Sequence, residues 1–355
     1  MTQTSFPRRM LVGGLLVAAL AGLAAPLAAQ TAPALSAGTQ KLYDAAKKEG
    51  ELTWYVSHYN GETAEAVGRD FTRIYPGVKV NVVRATAQVI FQRLSQDLKA
   101  NAANADVLSS TDASHFAFLK EKKLLATYRP ENADSVYPLY RNMDPDNQFH
   151  ATHTAMLVII YRSDKVDEAA APKTWQDLLD PRFKGKLAFG HPGYSGLVGA
   201  WAVSLDKKFG WSYFEKLKAN QPQIGRSIND VKTMLDSGER AVGSDGDGYF
   251  RKKQHDGSPY RTVYPSDGAV VVLSGTGVMA NSTKPNAARL FSNFLISKEA
   301  QQGLVTRDWS PSMRPDVPAA PGAKTPDQVP TIRVGNEDME ALTKLRERWR
   351  DTFGS

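Results

Sequence analysis

Residues 241–250, Ala-Val-Gly-Ser-Asp-Gly-Asp-Gly-Tyr-Phe, set Asp245 and Asp247 two apart among three glycines, directly behind a short apolar run. Carboxylates at that spacing could hold a hard cation, work as an acid pair, or accept from a solute's amine or hydroxyls. The stretch falls short of an EF-hand loop, because D-x-D-G lacks the third acidic position and the distal Glu. A plain glycine–aspartate turn explains the same residues. A second candidate is Gly193-Tyr-Ser195-Gly, one residue short of the G-x-S-x-G nucleophile elbow, since Leu197 stands where the last glycine belongs. Small residues feeding a helix start suit anion binding better: the Ser195 hydroxyl and the first free N–H groups of the helix are ready donors. An N-cap without any ligand is the competing reading. Residues 274–280, Ser-Gly-Thr-Gly-Val-Met-Ala, match G-x-G-x-x-A, yet Asn281, Ser282 and Pro285 break the chain where a dinucleotide fold needs a helix. Of the six histidines none forms HExxH. His58 follows the first strand, where α/β sheets bind ligands, and His150 and His153, three apart in a strand, should face opposite sides.

The elements that must position these groups alternate strand and helix. Residues 51–57 read as a buried strand. A helix follows with Ala64, Val67, Phe71, Ile74 and Tyr75 on one face, and Val78, Val80 and Val82 alternate in the next strand. A second helix carries Phe91, Leu94 and Leu98, and residues 105–110 form a third strand, so a parallel, doubly wound sheet is predicted. Thr174 and Asp177 have capping-box spacing for a short helix ahead of a strand. Helices are predicted from about Ser195, Trp211 and Asn229, over 286–296 and 297–305, and at the C-terminus with Met339, Leu342, Leu345 and Trp349 inward. Two long apolar runs, 154–163 and 269–280, bracket the middle of the chain. They suit two α/β lobes joined by crossing strands with a cleft between. The predicted organisation is 45–153 and 277–355 as one lobe, and 154–276 as the other.

Composition narrows the class. The 355 residues exceed one small core. Arg8 and Arg9, an uncharged apolar run and small residues ending at Ala29 read as a secretory signal peptide over 1–29, compatible with the twin-arginine route, followed by a spacer over 30–44. No later run reaches the roughly 20 apolar residues of a spanning helix. The 44 basic side chains, less Arg8 and Arg9, against 37 acidic ones leave +5, which suits an anionic solute but lacks the basic runs of a nucleic-acid binder. Without cysteine there is no disulfide, thiolate site or thiol nucleophile.

Segments 51–83, 105–125, 174–196, 227–243 and 286–304 together resemble the extracellular solute-binding proteins of ABC transporters, in the branch that contains the periplasmic ferric-binding proteins. The likeness runs from about 45 to 315. Its most telling part is Trp-x-Asp-Leu-x-Asp-Pro-x-x-Lys-Gly-Lys at 175–186. It implies a two-lobed type II periplasmic binding fold hinged on two crossing strands, exported to the periplasm, monomeric, closing on a small solute and handing it to a permease in the inner membrane, with neither resident cofactor nor catalysis.

The resemblance places ligand contacts at the strand ends: His58, Tyr59 and Asn60; Ser110 and Thr111; Ser195 and Gly196; Arg226; Asp245 and Asp247. The adjacent tyrosines with which ferric-binding relatives hold iron fall here on Gly246 and Asp247. Iron would therefore need another set, Asp245, Asp247 and Asp112. What survives is the anion half of the pocket. Ser195, Gly196 and Arg226 are expected to hold a phosphate, phosphonate or carboxylate head, while Asp245, Asp247, His58 and Tyr59 read the other end. Ferric binding without tyrosines and a secreted serine hydrolase using Ser195 are the alternatives.

Overall fold

A computed structural model describes Met1 and residues 35–102, 104–333 and 338–354, so the expected signal peptide lies, Met1 apart, outside the described residues. From Ser36 onward the chain forms one compact unit. Ser36 caps α1 (Ala37–Glu49), accepting the Thr39 amide, and α1 packs on α9 (Pro285–Leu295). The predicted spacer to residue 44 is thus corrected. A polar, alanine-rich stretch with a serine cap and Ala46 fully buried is the first helix of the fold.

The predicted alternation follows. β1 (Glu51–Val56) leads to α2 (Gly61–Ile74), β2 (Lys79–Arg84) to α3 (Ala87–Lys99), and β3 (Val107–Ser110) to α4 (Ser114–Glu121). These strands pair in parallel in the order β2-β1-β3. The pleat sends Trp54 and Val56 into the core under α1, α2 and α9, and Tyr55 into the opposite core under α3 and α4. Helices on both faces explain why β1 and β3 are buried almost along their length, while the edge strand β2 keeps Lys79, Asn81 and Arg84.

The other half has parallel β5 (Leu187–Phe189), β6 (Gln223–Ile224) and β7 (Val242–Gly246), with α5 (Gly196–Phe209), α6 (Ser212–Ala219), α7 (Ile228–Asp236) and α8 (Asp247–His255), then β8 (Tyr260–Val263). Two long antiparallel strands join the halves, β4 (Phe149–Arg162) and β9 (Ala269–Val278). The end of β9 pairs with β3, and the end of β4 with β7 and β8, so each runs from one half into the other. In β4, residues 155, 157, 159 and 161 enter one core and 156, 158 and 160 the other, which accounts for the unbroken apolar run.

Three further sequence readings change. Thr174 and Asp177 exchange both capping-box bonds, but open only a 3-10 turn over Gln176–Leu179, because Pro181 follows and Trp175 is pinned by Asp267 and the Gly268 carbonyl. The Ser244–Gly248 stretch is no free turn: β7 runs to Gly246 and α8 begins at Asp247. After α10 (Lys298–Asp308) the chain leaves the first half. β10 (Thr331–Arg333) pairs with the start of β9, and α11 (Met339–Phe353) packs on α5 and α6. Assigning all of 277–355 to the first lobe fails there, since Leu342, Leu345 and Trp349 are buried in the core of the second half.

Candidate functional site

Five helices begin at the carboxyl ends of β1, β2, β5, β6 and β7, and all five N-termini open on one cleft of about 580 Å³ between the halves. The residues presented are Asn60 at α2, Thr86 and Ala87 at α3, Ser195 at α5, Ser227 and Ile228 at α7, and Gly246 to Gly248 at α8. Asn60, Ser195 and Ser227 cap their helices through their side chains; α3 and α8 have no side-chain cap. Helix N-termini carry unsatisfied N–H groups and partial positive charge, so their convergence is a field for anions. Arg84, Lys232, Lys252, Lys253 and Arg307 add cations to the walls, and Glu62, Asp245, Asp247, Asp256 and Asp308 add carboxylates.

Asp245 comes from the end of β7 and is 1% exposed. Its Oδ1 accepts the Gly246 amide at 2.6 Å, whereas Oδ2 has no hydrogen bond within the described residues and lies 4.0 Å from Lys232 Nζ. Burial pushes its pKa up to about 6, against the pull of Lys232. Asp247 is equally buried but more committed. Its Oδ2 accepts from Arg251 at 2.9 Å and from the Tyr264 hydroxyl at 2.6 Å, leaving Oδ1 unpartnered, and burial raises its pKa despite Arg251. Gly248 is required in the next position, because a Cβ there would lie 2.7 Å from the Trp309 carbonyl oxygen.

On the facing wall His58, Tyr59 and His153 form one aromatic group. The two imidazoles stack at 5.3 Å and 7°, and Tyr59 meets them edge-on at 4.4 and 5.1 Å. Burial lowers both imidazole pKa values, His58 well below the ordinary range and His153 to about 4, and raises that of Tyr59. Both nitrogens of His58, Nδ1 of His153 and the Tyr59 hydroxyl make no hydrogen bond within the described residues. Buried polar atoms are rarely left so, and a cluster of them lining a cleft points to a polar occupant.

The structure therefore brings together His58, Tyr59, Asn60, Thr111, Ser195, Asp245 and Asp247. It does not bring in four other residues. Ser110 faces inward, bonded to His115 Nδ1 at 2.8 Å and to the Asp112 amide. Gly196 abuts Thr111, whose backbone a Cβ would meet at 2.6 Å. Arg226 is exposed over the Tyr194 ring, 5.1 Å away, and lines a separate hollow with His191 and Gln223. Asp112, the third carboxylate of the iron alternative, is used up by Arg346, Gln88 and Ser114; burial raises its pKa, but His115, Arg346 and Ser114 outweigh that and hold it low. Among the described residues no group of three or more His, Asp or Glu is placed to hold a metal ion. The Ser195 hydroxyl accepts the Val198 amide as an N-cap.

Sequence reasoning missed His153, Lys232, Arg84, Arg307 and Asp308. His153 reaches the cleft next to a bulge in β4, between Ala151 and His153, that no local signal announces. Lys232 stands one turn into α7, so its only mark was membership of the helix opening at Ser227.

Residues 102–341 match the family described as bacterial extracellular solute-binding protein, over more than half of the chain. The chain belongs to that family. A relative in Salmonella typhimurium, described as a candidate 2-aminoethylphosphonate-binding periplasmic protein, is 26% identical over 280 residues, 76% of this chain and 77% of its own. A Sinorhizobium fredii periplasmic-binding protein ascribed to an ABC transporter is 23% identical over 286 residues, 77% of this chain and 78% of its own. In structure, this solute-binding protein superimposes on the periplasmic binding protein AfuA of Actinobacillus pleuropneumoniae, solved with fructose-6-phosphate, with a TM-score of 0.75 at 22% identity, covering 86% of this chain and 99% of that one. The fold is thus the two-lobed type II periplasmic binding fold, with β4 and β9 as the crossing strands.

Proposed function

We propose that this protein is the periplasmic component of an ABC importer, without catalytic activity, and that its cleft binds a small organic anion, a phosphonate, phosphate ester or carboxylate. One observation carries the reading: five helix N-termini converge on the cleft, two of them lacking side-chain caps, with Lys232 and Arg84 beside them. The naming of a relative for an aminophosphonate and the sugar phosphate bound by a structural neighbour support it. The head group lies against Ser195, Thr111 and the starts of α7 and α8, with Lys232 taking the part first expected of Arg226. The unpartnered Oδ2 of Asp245 and the His58–Tyr59–His153 group read an amine or hydroxyls at the other end.

Calorimetry against 2-aminoethylphosphonate, fructose 6-phosphate, citrate and inorganic phosphate tests this. At least one organic anion binds tightly, and Lys232→Ala weakens it roughly 10- to 100-fold, the range for a charge-assisted bond. Protein that ignored all four but coloured with ferric ion and citrate would instead establish iron binding.

A further inference from the structure

One side chain of the last helix joins the two lobes. Leu342, Leu345 and Trp349 seat α11 in the core of the second lobe, and Arg346, beside them on the same helical face, reaches past that core to residues of both lobes. Its guanidinium donates to the carbonyl of Pro192 at 3.2 Å, in the β5–α5 loop of the second lobe, and to the carboxylate of Asp112, in the β3–α4 loop of the first. Asp112 is fully buried and its other contacts, with Gln88, Ser114 and His115, all lie within the first lobe. Beside this pair Gly196 of the second lobe abuts the backbone of Thr111 of the first, so the two loops touch. Asp112 belongs to one lobe and Arg346 and Pro192 to the other, so the ion pair spans the two sides of the cleft.

We infer that Arg346 is a positioning residue for solute binding, a latch on α11 that stabilises the closed cleft through Asp112 without touching the solute. It rests on the cleft being the solute site, but its test needs no solute, so the two can fail separately. The chain has no cysteine. Spin labels at Gln92→Cys on α3 and Lys216→Cys on α6, both exposed, report the distance between lobes in ligand-free protein. Arg346→Gln lowers the closed-to-open ratio roughly tenfold, as expected for losing one partly exposed charge-assisted bond, and Arg346→Lys keeps part of it. Asp112→Asn produces the same opening from the other lobe, leaving α11 untouched. Distance distributions identical in Arg346→Gln and the parent protein would overturn the inference. So would an opening that came only with the loss of the near-ultraviolet signal of docked Trp349, or one that Asp112→Asn failed to reproduce.

Discussion

Replacing Asp245 by asparagine should stabilise the ligand-free protein at neutral pH, by an amount that vanishes in acid. The carboxyl is buried, and its folded-state pKa is about 6 against the ordinary 3.8. Two units at 1.36 kcal/mol each put the cost of holding it ionised at about 3 kcal/mol. The folded state binds the proton more tightly than the unfolded chain. Stability is therefore highest below about pH 4, falls as pH rises through 6, and is flat above. Asparagine keeps the acceptor for the Gly246 amide and removes the charge. His58 and His153 titrate over part of the same window with the opposite sign, so the quantity to read is the difference between Asp245→Asn and the parent. Urea unfolding at pH 4.5, 6 and 8 should show the variant's gain rising from about 1 to about 3 kcal/mol. Affinity for an amine-bearing anion should fall, because the unpartnered Oδ2 is lost. A gain that did not depend on pH, or a loss of stability at pH 8, would falsify the idea that burial strains this carboxylate.

Three further outcomes follow from the same geometry. His115 and His153 are buried and His150 half-buried, and desolvation lowers all three pKa values to about 4, below the 6.5 of an unfolded chain; the stability of their neutral forms is whole above pH 6.5 and lost as pH falls toward 4, so the calorimetric Tm drops across that window, and less so in His150→Gln. Trp349→Ala removes a fully buried ring packed on Trp201, Phe214 and Phe353 and should cost about 3–5 kcal/mol by urea unfolding, whereas a cost below 1 would mean α11 is not docked as described. Gly196→Ala places a Cβ 2.6 Å from Thr111 and should weaken calorimetric affinity for an organic anion tenfold or more, while unfolding of the ligand-free form is unchanged, because an open cleft relieves the clash.

Periodicity exposed the fold because both halves bury both faces of the sheet: Trp54, Tyr55 and Val56, or residues 155 to 161, form apolar runs only a covered strand requires. It did not announce α1, whose apolar face is only Leu42, Tyr43 and Ala46, nor the crossing of the chain after α10, which is decided by what Leu342 and Trp349 meet. Strand ends identified half of the cleft, since loops after parallel strands share one edge. Lys232, Arg307 and Asp308 come from helices rather than from the loops at strand ends, so no loop position marks them. Arg226 sits next to a correctly placed loop, yet one residue outside the Ser227 cap turns it away onto Tyr194.

The junction of β7 and α8 gives its two neighbouring carboxylates different tasks. Gly246 leaves α8 without a side-chain cap, and Asp247 fixes Arg251 through its carboxylate, at the two positions where the resemblance to ferric-binding proteins would put tyrosines. Arg251 in turn holds the carbonyls of Trp309 and Pro321, so Asp247 anchors the segment that leads from the first lobe back to the second. A tyrosine at 247 would release that anchor, and any side chain at 248 would strike the Trp309 carbonyl. With Asp247 bound to structure, Asp245 is the carboxylate of the pair left with an oxygen near Lys232 and a raised pKa, suited to a hydrogen-bonding cationic group. Asp112, which could have completed a hard-cation site, holds Arg346 across the lobes instead. The acids that a metal would need are thus divided between scaffold, latch and cleft, while the helix N-termini that favour an anion stay together.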